Sequence, residues 1–148
     1  MLDVTSSAFG ANETIPPKYT CDGEGVSPPL SWSNVPEATR SVAILVDDPD
    51  APDGPFTHWL VTDLPPTART LPEGGVLPRD ASAGRTDAGN TSYYGPCPTH
   101  GRHRYRFHVY ALDTTLGRAE SREAFLSAID GHVLDDGELV ATYQRPAH

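Results

Sequence analysis

Apolar residues alternate along several stretches of this chain and run unbroken along one. In SVAILVDD, from 41 to 48, Val42, Ile44 and Val46 alternate with Ala43, Leu45 and Asp47 at the period of a β-strand. Both alternating sets are apolar until the strand ends, which predicts an interior strand covered on two faces. A second strand is predicted over 57–64, with His58, Leu60, Thr62 and Leu64 on one face. The stretch HRYRFHVYAL, 103–112, sets His103, Tyr105, Phe107, Val109 and Ala111 against Arg104, Arg106, His108 and Tyr110. Shorter strands are expected over 2–9 and 30–32. A helix should start after the N-cap Ser121, carry Ala124, Phe125, Ala128 and Ile129 as its apolar stripe, and end at Gly131. The tail, DDGELVATYQR, reads as a brief helical turn passing into a closing strand.

Between Pro65 and Pro98 periodicity fades and Gly, Pro, Asp and Thr accumulate. A long irregular loop in a compact domain tends to be functional. Several strands, long connections and one late helix predict an all-β fold. The expected form is an antiparallel Greek-key β-sandwich with one or two short peripheral helices near the C-terminus. The 148 residues, with no internal repeat or low-complexity linker, suit a single domain spanning 1–148.

Composition changes this picture little: 15 Pro and 13 Gly fit short strands joined by ordered loops. Charge changes it more. A net charge of -9 repels nucleic acid and anionic membrane, so any anionic ligand must be held by a local pocket. No basic and apolar lead precedes the first strand and no run is long enough to span a bilayer. The expected location is the cytoplasm, where the preferred reading of Cys21 and Cys97 is a pair of free thiols, although the two could meet in space as a disulfide.

Candidate chemistry gathers where the two central strands join. Asp48 precedes Pro49, and Asp50 stands two residues before Pro52, so the DPDAP run should hold both carboxylates in fixed directions. Both X-Pro bonds are candidates for the cis form. His58 returns toward these acids on the next strand, and His103 with Tyr105 occupies the leading end of the third. Asp48 beside His58 or His103 would favour imidazolium donors for a small anion, with Tyr105 adding a hydroxyl. Backbone N–H groups around Gly95 would add a neutral nest. The competing reading treats Asp48, His58, His103 and Tyr105 as general acid–base groups of an enzyme. Taken singly, His58 reads as a satisfied core residue, Asp48 and Asp50 as turn caps, and Arg104 and Arg106 as a solvated strand face. His100, His108, His132 and His148 lack partners in the pattern. No metal-ligand spacing or nucleophile elbow occurs, so no metal or cofactor is expected.

Four stretches together, IPPKYTCDGEGVSPPLSW, VDDPDAPDGPFTHWLV, YYGPCPTHGRHRYRFHVYALD and GHVLDDGELVATYQR, resemble the phosphatidylethanolamine-binding protein family, also called the Raf kinase inhibitor protein family. The likeness is to its small bacterial and archaeal branch. It implies a β-sandwich with an anion pocket at one end of the central sheet. Carried over by motif, the ligand-binding residues would be Asp48, Asp50, Ala51, Pro52, His58, Gly95, Pro96, Cys97, His103 and Tyr105. The implied ligand is a phosphate, a carboxylate or a phospholipid head group. In eukaryotic relatives the fold is linked to inhibition of kinases or proteases and to signalling, and a homodimer fits the branch. The enzyme alternative within this scaffold is a small-metabolite cyclase or isomerase.

Overall fold

The computed structural model describes residues 1–146. Its strands are β1 (Asp3–Thr5), β2 (Leu30–Ser33), β3 (Ser41–Asp48), β4 (Phe56–Leu64), β5 (Thr70–Leu71), β6 (Ser82–Ala83), β7 (His103–Leu112) and β8 (Val133–Tyr143), with one α-helix, α1 (Arg122–Ile129), between β7 and β8. They form two antiparallel sheets, a small one ordered β1-β2-β5 and a large one ordered β6-β4-β3-β7-β8.

All eight residues of β3 are buried, because both of its faces are covered. Val42, Ile44 and Val46 join Val61, Phe107 and Val109 of the large sheet, and Val4, Leu30, Trp32 and Leu71 of the small one, in the main core. Ala43 and Leu45 face the other way, into a second cluster with Leu60, Leu112, Phe125 and Ile129 beneath α1. The layers are therefore small sheet, large sheet and helix, and β3 is the middle strand of the middle layer. No helix among the described residues is long and apolar enough to cross a membrane.

The central strands and β7 follow the expected bounds, and Ser121 Oγ caps α1 by accepting from Ala124 N at 3.1 Å. Other expectations need correction. The first strand is three residues, not eight, since Ser6 Oγ turns the chain by accepting from Ala8 N. In α1 only Phe125 and Ile129 are buried, while Ala124 and Ala128 face solvent. The tail has no helical turn: β8 pairs with β7 from Leu112↔Val133 to His103↔Tyr143. Asp135, Asp136 and Gly137 are weak strand formers, yet a ten-residue partner overrides local preference. Every described peptide bond is trans, including those before Pro49 and Pro52.

Two irregularities matter for the site. The β3–β4 register shifts between Val46↔Trp59 and Asp47↔Thr57, leaving His58 as an extra residue in β4. A second shift lies between Val42↔Leu64 and Ile44↔Val61, beside Asp63 at φ 61°. These β-bulges break the simple alternation, so His58, Leu60 and Leu64 do not share a face. Leu60 packs under the helix, whereas Leu64 enters the main core.

Candidate functional site

The bulge at His58 turns its side chain to the main-core side of the large sheet, where the end of β3 and the start of β7 meet. There a cavity of about 200 Å³ opens, lined by Asp48, Ala51 and Pro52, by Phe56 and His58, by Tyr94, Cys97, Pro98 and Thr99, and by His103 and Tyr105. Asp48, Ala51, Pro52, His58, Cys97, His103 and Tyr105 thus come together from four segments: the end of β3 and its turn, β4, the loop before β7, and β7.

Asp48 is buried and both of its oxygens are engaged. Oδ1 accepts from Asp50 N at 2.8 Å, closing the turn after β3, and Oδ2 accepts from His103 Nδ1 at 2.6 Å. This acid thus both caps the turn and lines the cavity. The carboxylate orients His103, not His58. The antiparallel register explains the pairing's reach: Asp47 lies opposite Arg106, so Asp48 comes up against the residues that precede it on β7.

His58 is held differently. Tyr94 N donates to His58 O at 2.9 Å, and Tyr94 O accepts from His58 Nδ1 at 2.6 Å. A carbonyl only accepts, so the proton of the ring resides on Nδ1. Burial holds this imidazole below its ordinary value, partly offset by the Tyr94 carbonyl and the charge of Asp48. His58 is therefore a neutral ring at neutral pH, which corrects the expectation of an imidazolium pair. Phe56, Tyr94 and Tyr105 surround it, at ring-centroid distances of 4.9, 5.8 and 5.4 Å.

Tyr105 is fully buried and its hydroxyl has no hydrogen-bond partner among the described residues. Burial first, then the Asp48 carboxylate, push its ionisation well above the usual phenol range, so it stays a donor. Asp48 is close enough to act on the hydroxyl through its charge and a side-chain interaction short of full hydrogen-bond geometry. Buried polar atoms are rarely left unpaired, and this one borders a cavity.

Three expected site residues take other roles. Asp50 does not line the cavity: its Oδ2 accepts from Arg104 N and Nε, at 2.8 and 3.0 Å, and its Oδ1 from the guanidinium at 2.9 Å. The Arg104 guanidinium holds the Asp50 carboxyl down to about 2. Gly95 and Pro96 do not line the cavity either. An added Cβ at Gly95 would lie 3.0–3.2 Å from the Thr20–Cys21 backbone, so glycine is needed there for close docking, and Pro96 O accepts from Cys21 N at 3.1 Å.

That docking is completed by a Cys21–Cys97 disulfide, Cα–Cα 5.4 Å, which overturns the free-thiol reading. That expectation follows from compartment alone. The geometry comes from the loop: Tyr93 Oη donates to Tyr19 O and Gly84, Asp87 and Tyr94 donate to carbonyls of β4, stapling the irregular segment to both neighbours.

On the opposite side of the sheet, Asp47 is fully buried and takes a bidentate pair from Arg106, at 2.8 and 2.9 Å, with Arg122 of α1 at 3.3 Å and His108 at 3.9 Å. Arg106 is thus no idle solvated residue, and His108 also meets Glu138 at 3.3 Å. His132 pairs with Asp113 at 2.8 Å, His100 is exposed, and His148 lies outside the described residues. Sequence reasoning missed Phe56, Tyr94, Pro98 and Thr99. Phe56 was recoverable, since it faces Asp48 across the hairpin; Tyr94 carried no signal that its main chain would fix a histidine.

Comparison with known proteins agrees with this architecture. The family model described as phosphatidylethanolamine-binding protein matches residues 5–144. The chain belongs to this family. A UPF0098 protein of Methanothermobacter thermautotrophicus, a relative, is 44% identical over 150 residues, covering 97% of this chain and 99% of that one. Another from Pyrococcus horikoshii is 46% identical, over 95% of this chain and 75% of its own. Among solved structures, a putative phosphatidylethanolamine-binding protein homolog from Chlamydia trachomatis superposes with TM-score 0.91 at 41% identity, covering 98% of both chains. The family member YbcL of E. coli superposes with TM-score 0.90 at 31% identity, covering 98% of this chain and 99% of its own.

Proposed function

We propose that this protein binds a small phosphorylated or carboxylated molecule, such as a phospholipid head group, in the cavity between Asp48, His58, His103 and Tyr105. The observation that carries this reading is the buried Tyr105 hydroxyl, unpartnered beside a cavity that also presents the Asp48–His103 pair. At about 200 Å³ the space exceeds the ~30 Å³ share of one water several-fold, enough for a tetrahedral oxyanion and a small substituent. Titration calorimetry with inorganic phosphate tests it. The Tyr105→Phe protein should bind roughly tenfold more weakly, a loss of one hydrogen bond to a charged group, while folding as well as the parent. Equal affinity in the two proteins removes Tyr105 from the site.

The same pair supports a second reading, general acid–base catalysis on a small metabolite, because a carboxylate-oriented imidazole beside a phenol can transfer protons. Alanine at His103 separates the two, abolishing turnover under the second while only weakening ligand binding under the first. Inhibition of a kinase or protease would act through the outer surface and survive that substitution.

A further inference from the structure

The polar groups of the cavity specify more than an anion. No Lys or Arg lines it among the described residues. His58 Nδ1–H is committed to the Tyr94 carbonyl, and nothing in the described protein meets its Nε2, which in the neutral ring carries a lone pair. Asp48 adds an acceptor-only carboxylate. The Asp48–His103 pair sums to zero when the imidazole is charged and to minus one when it is not. The donors that remain are hydroxyls, of Tyr105 and of the lining residues Tyr94 and Thr99, and, in the charged pair, His103 Nε2–H. A doubly negative oxyanion would thus set its oxygens against the Asp48 carboxylate and the His58 lone pair with no cation to balance them.

We infer that the cavity selects an oxyanion that still carries a proton, a phosphomonoester or inorganic phosphate in its singly charged form, over a phosphodiester or an unprotonated dianion. The ligand's own O–H then donates to His58 Nε2 or to Asp48, and its other oxygens accept from Tyr105 and His103. This rests on the anion-binding reading and narrows it, since the diester of a lipid head group has no such hydrogen. Burial of His58 favours the same arrangement, because the shared proton is held more cheaply on the ligand than on the ring. The negative charges of Asp48, of Asp47 across the sheet and of Asp87 lean the other way without outweighing burial.

Calorimetry on the unmodified protein with methyl phosphate, dimethyl phosphate and sulfate decides it. At about pH 5.5, below the second ionisation of a phosphomonoester near 6, methyl phosphate is singly charged and protonated. It should bind about tenfold or more tightly than dimethyl phosphate, which has the charge but no hydrogen, and than sulfate, which has the shape but neither. Raising the pH above about 6 should weaken methyl phosphate toward tenfold per unit, as its protonated form is depleted. Sulfate stays unprotonated throughout and reports only titration of the protein, so its affinity should fall less. Sulfate or dimethyl phosphate matching methyl phosphate overturns the inference and leaves anion binding standing. Failure of all three to bind removes the anion-binding reading and the inference with it.

Discussion

Breaking the Cys21–Cys97 bridge should cost stability chiefly by freeing the unfolded chain. The two cysteines are 76 residues apart, and the loop-closure relation gives about 4.5 kcal/mol at 25 °C for a loop of that length. Little strain or lost contact should be added in the folded state. The Cys21 N–Pro96 O bond, the Tyr93 Oη–Tyr19 O bond and the close approach at Gly95 hold the two segments together without the sulfurs. Urea unfolding, followed by the fluorescence of the buried Trp32 and Trp59, compares the oxidised protein with a Cys21→Ala/Cys97→Ala variant. The variant should lose about 3–4.5 kcal/mol, and its thermal midpoint should drop by roughly 2–4 °C for each of these. Its denaturant slope should rise, because an uncrosslinked chain exposes more surface. Agreement of the two unfolding free energies to within about 0.5 kcal/mol would refute the reasoning, since a bridge spanning half the chain cannot be thermodynamically silent.

Asp47→Ala leaves Arg106 and Arg122 facing a buried void and should destabilise by about 3 kcal/mol, with Asp47→Asn milder, both read by urea midpoints. Tyr105→Phe deletes an unpaired buried hydroxyl, so the unliganded protein should gain up to about 1 kcal/mol, measured by thermal unfolding without anions. His58 and His108 both ionise below their ordinary value when folded, so the unfolded chain binds more protons between the two values. Stability should therefore fall as pH drops below about 6.5, and replacing His58 by Phe should flatten part of that slope. Asp50 adds stability that is present above the ordinary carboxylate value and lost as pH falls toward about 2. Screening at the exposed Arg104 limits that contribution to about 1 kcal/mol, and Asp50→Asn should remove it from acid titrations.

Much of the fold was legible because its long strands carry unambiguous patterns. β7 matched residue for residue, and the two-sided burial of β3 followed from two apolar sets in one strand. Local pattern failed where pairing decides. β8 is a strand because β7 offers it a full-length partner, and β1 is short because Ser6 turns it. The meeting of Asp48, His58, His103 and Tyr105 was readable from strand ends, yet the bulge that aims His58 leaves no mark in a periodicity. Roles within the site were harder still. Asp50 and Asp48 look alike in DPDAP, and only the position of Arg104 across the sheet makes one a tether and leaves the other at the cavity. The disulfide depended on where an irregular loop docks, which no spacing of two cysteines encodes.

Asp47 and Asp48 are consecutive, and the pleat sends them to opposite sides of one sheet. A single peptide plane is therefore the fulcrum between an ionic clamp gripping α1 and a carboxylate steering His103. Rotation of that plane cannot ease one without displacing the other. Reshaping the cavity at this strand end would disturb the helix as well, whereas Phe56, Tyr94 and Thr99 offer walls that can be altered with the fulcrum left at rest.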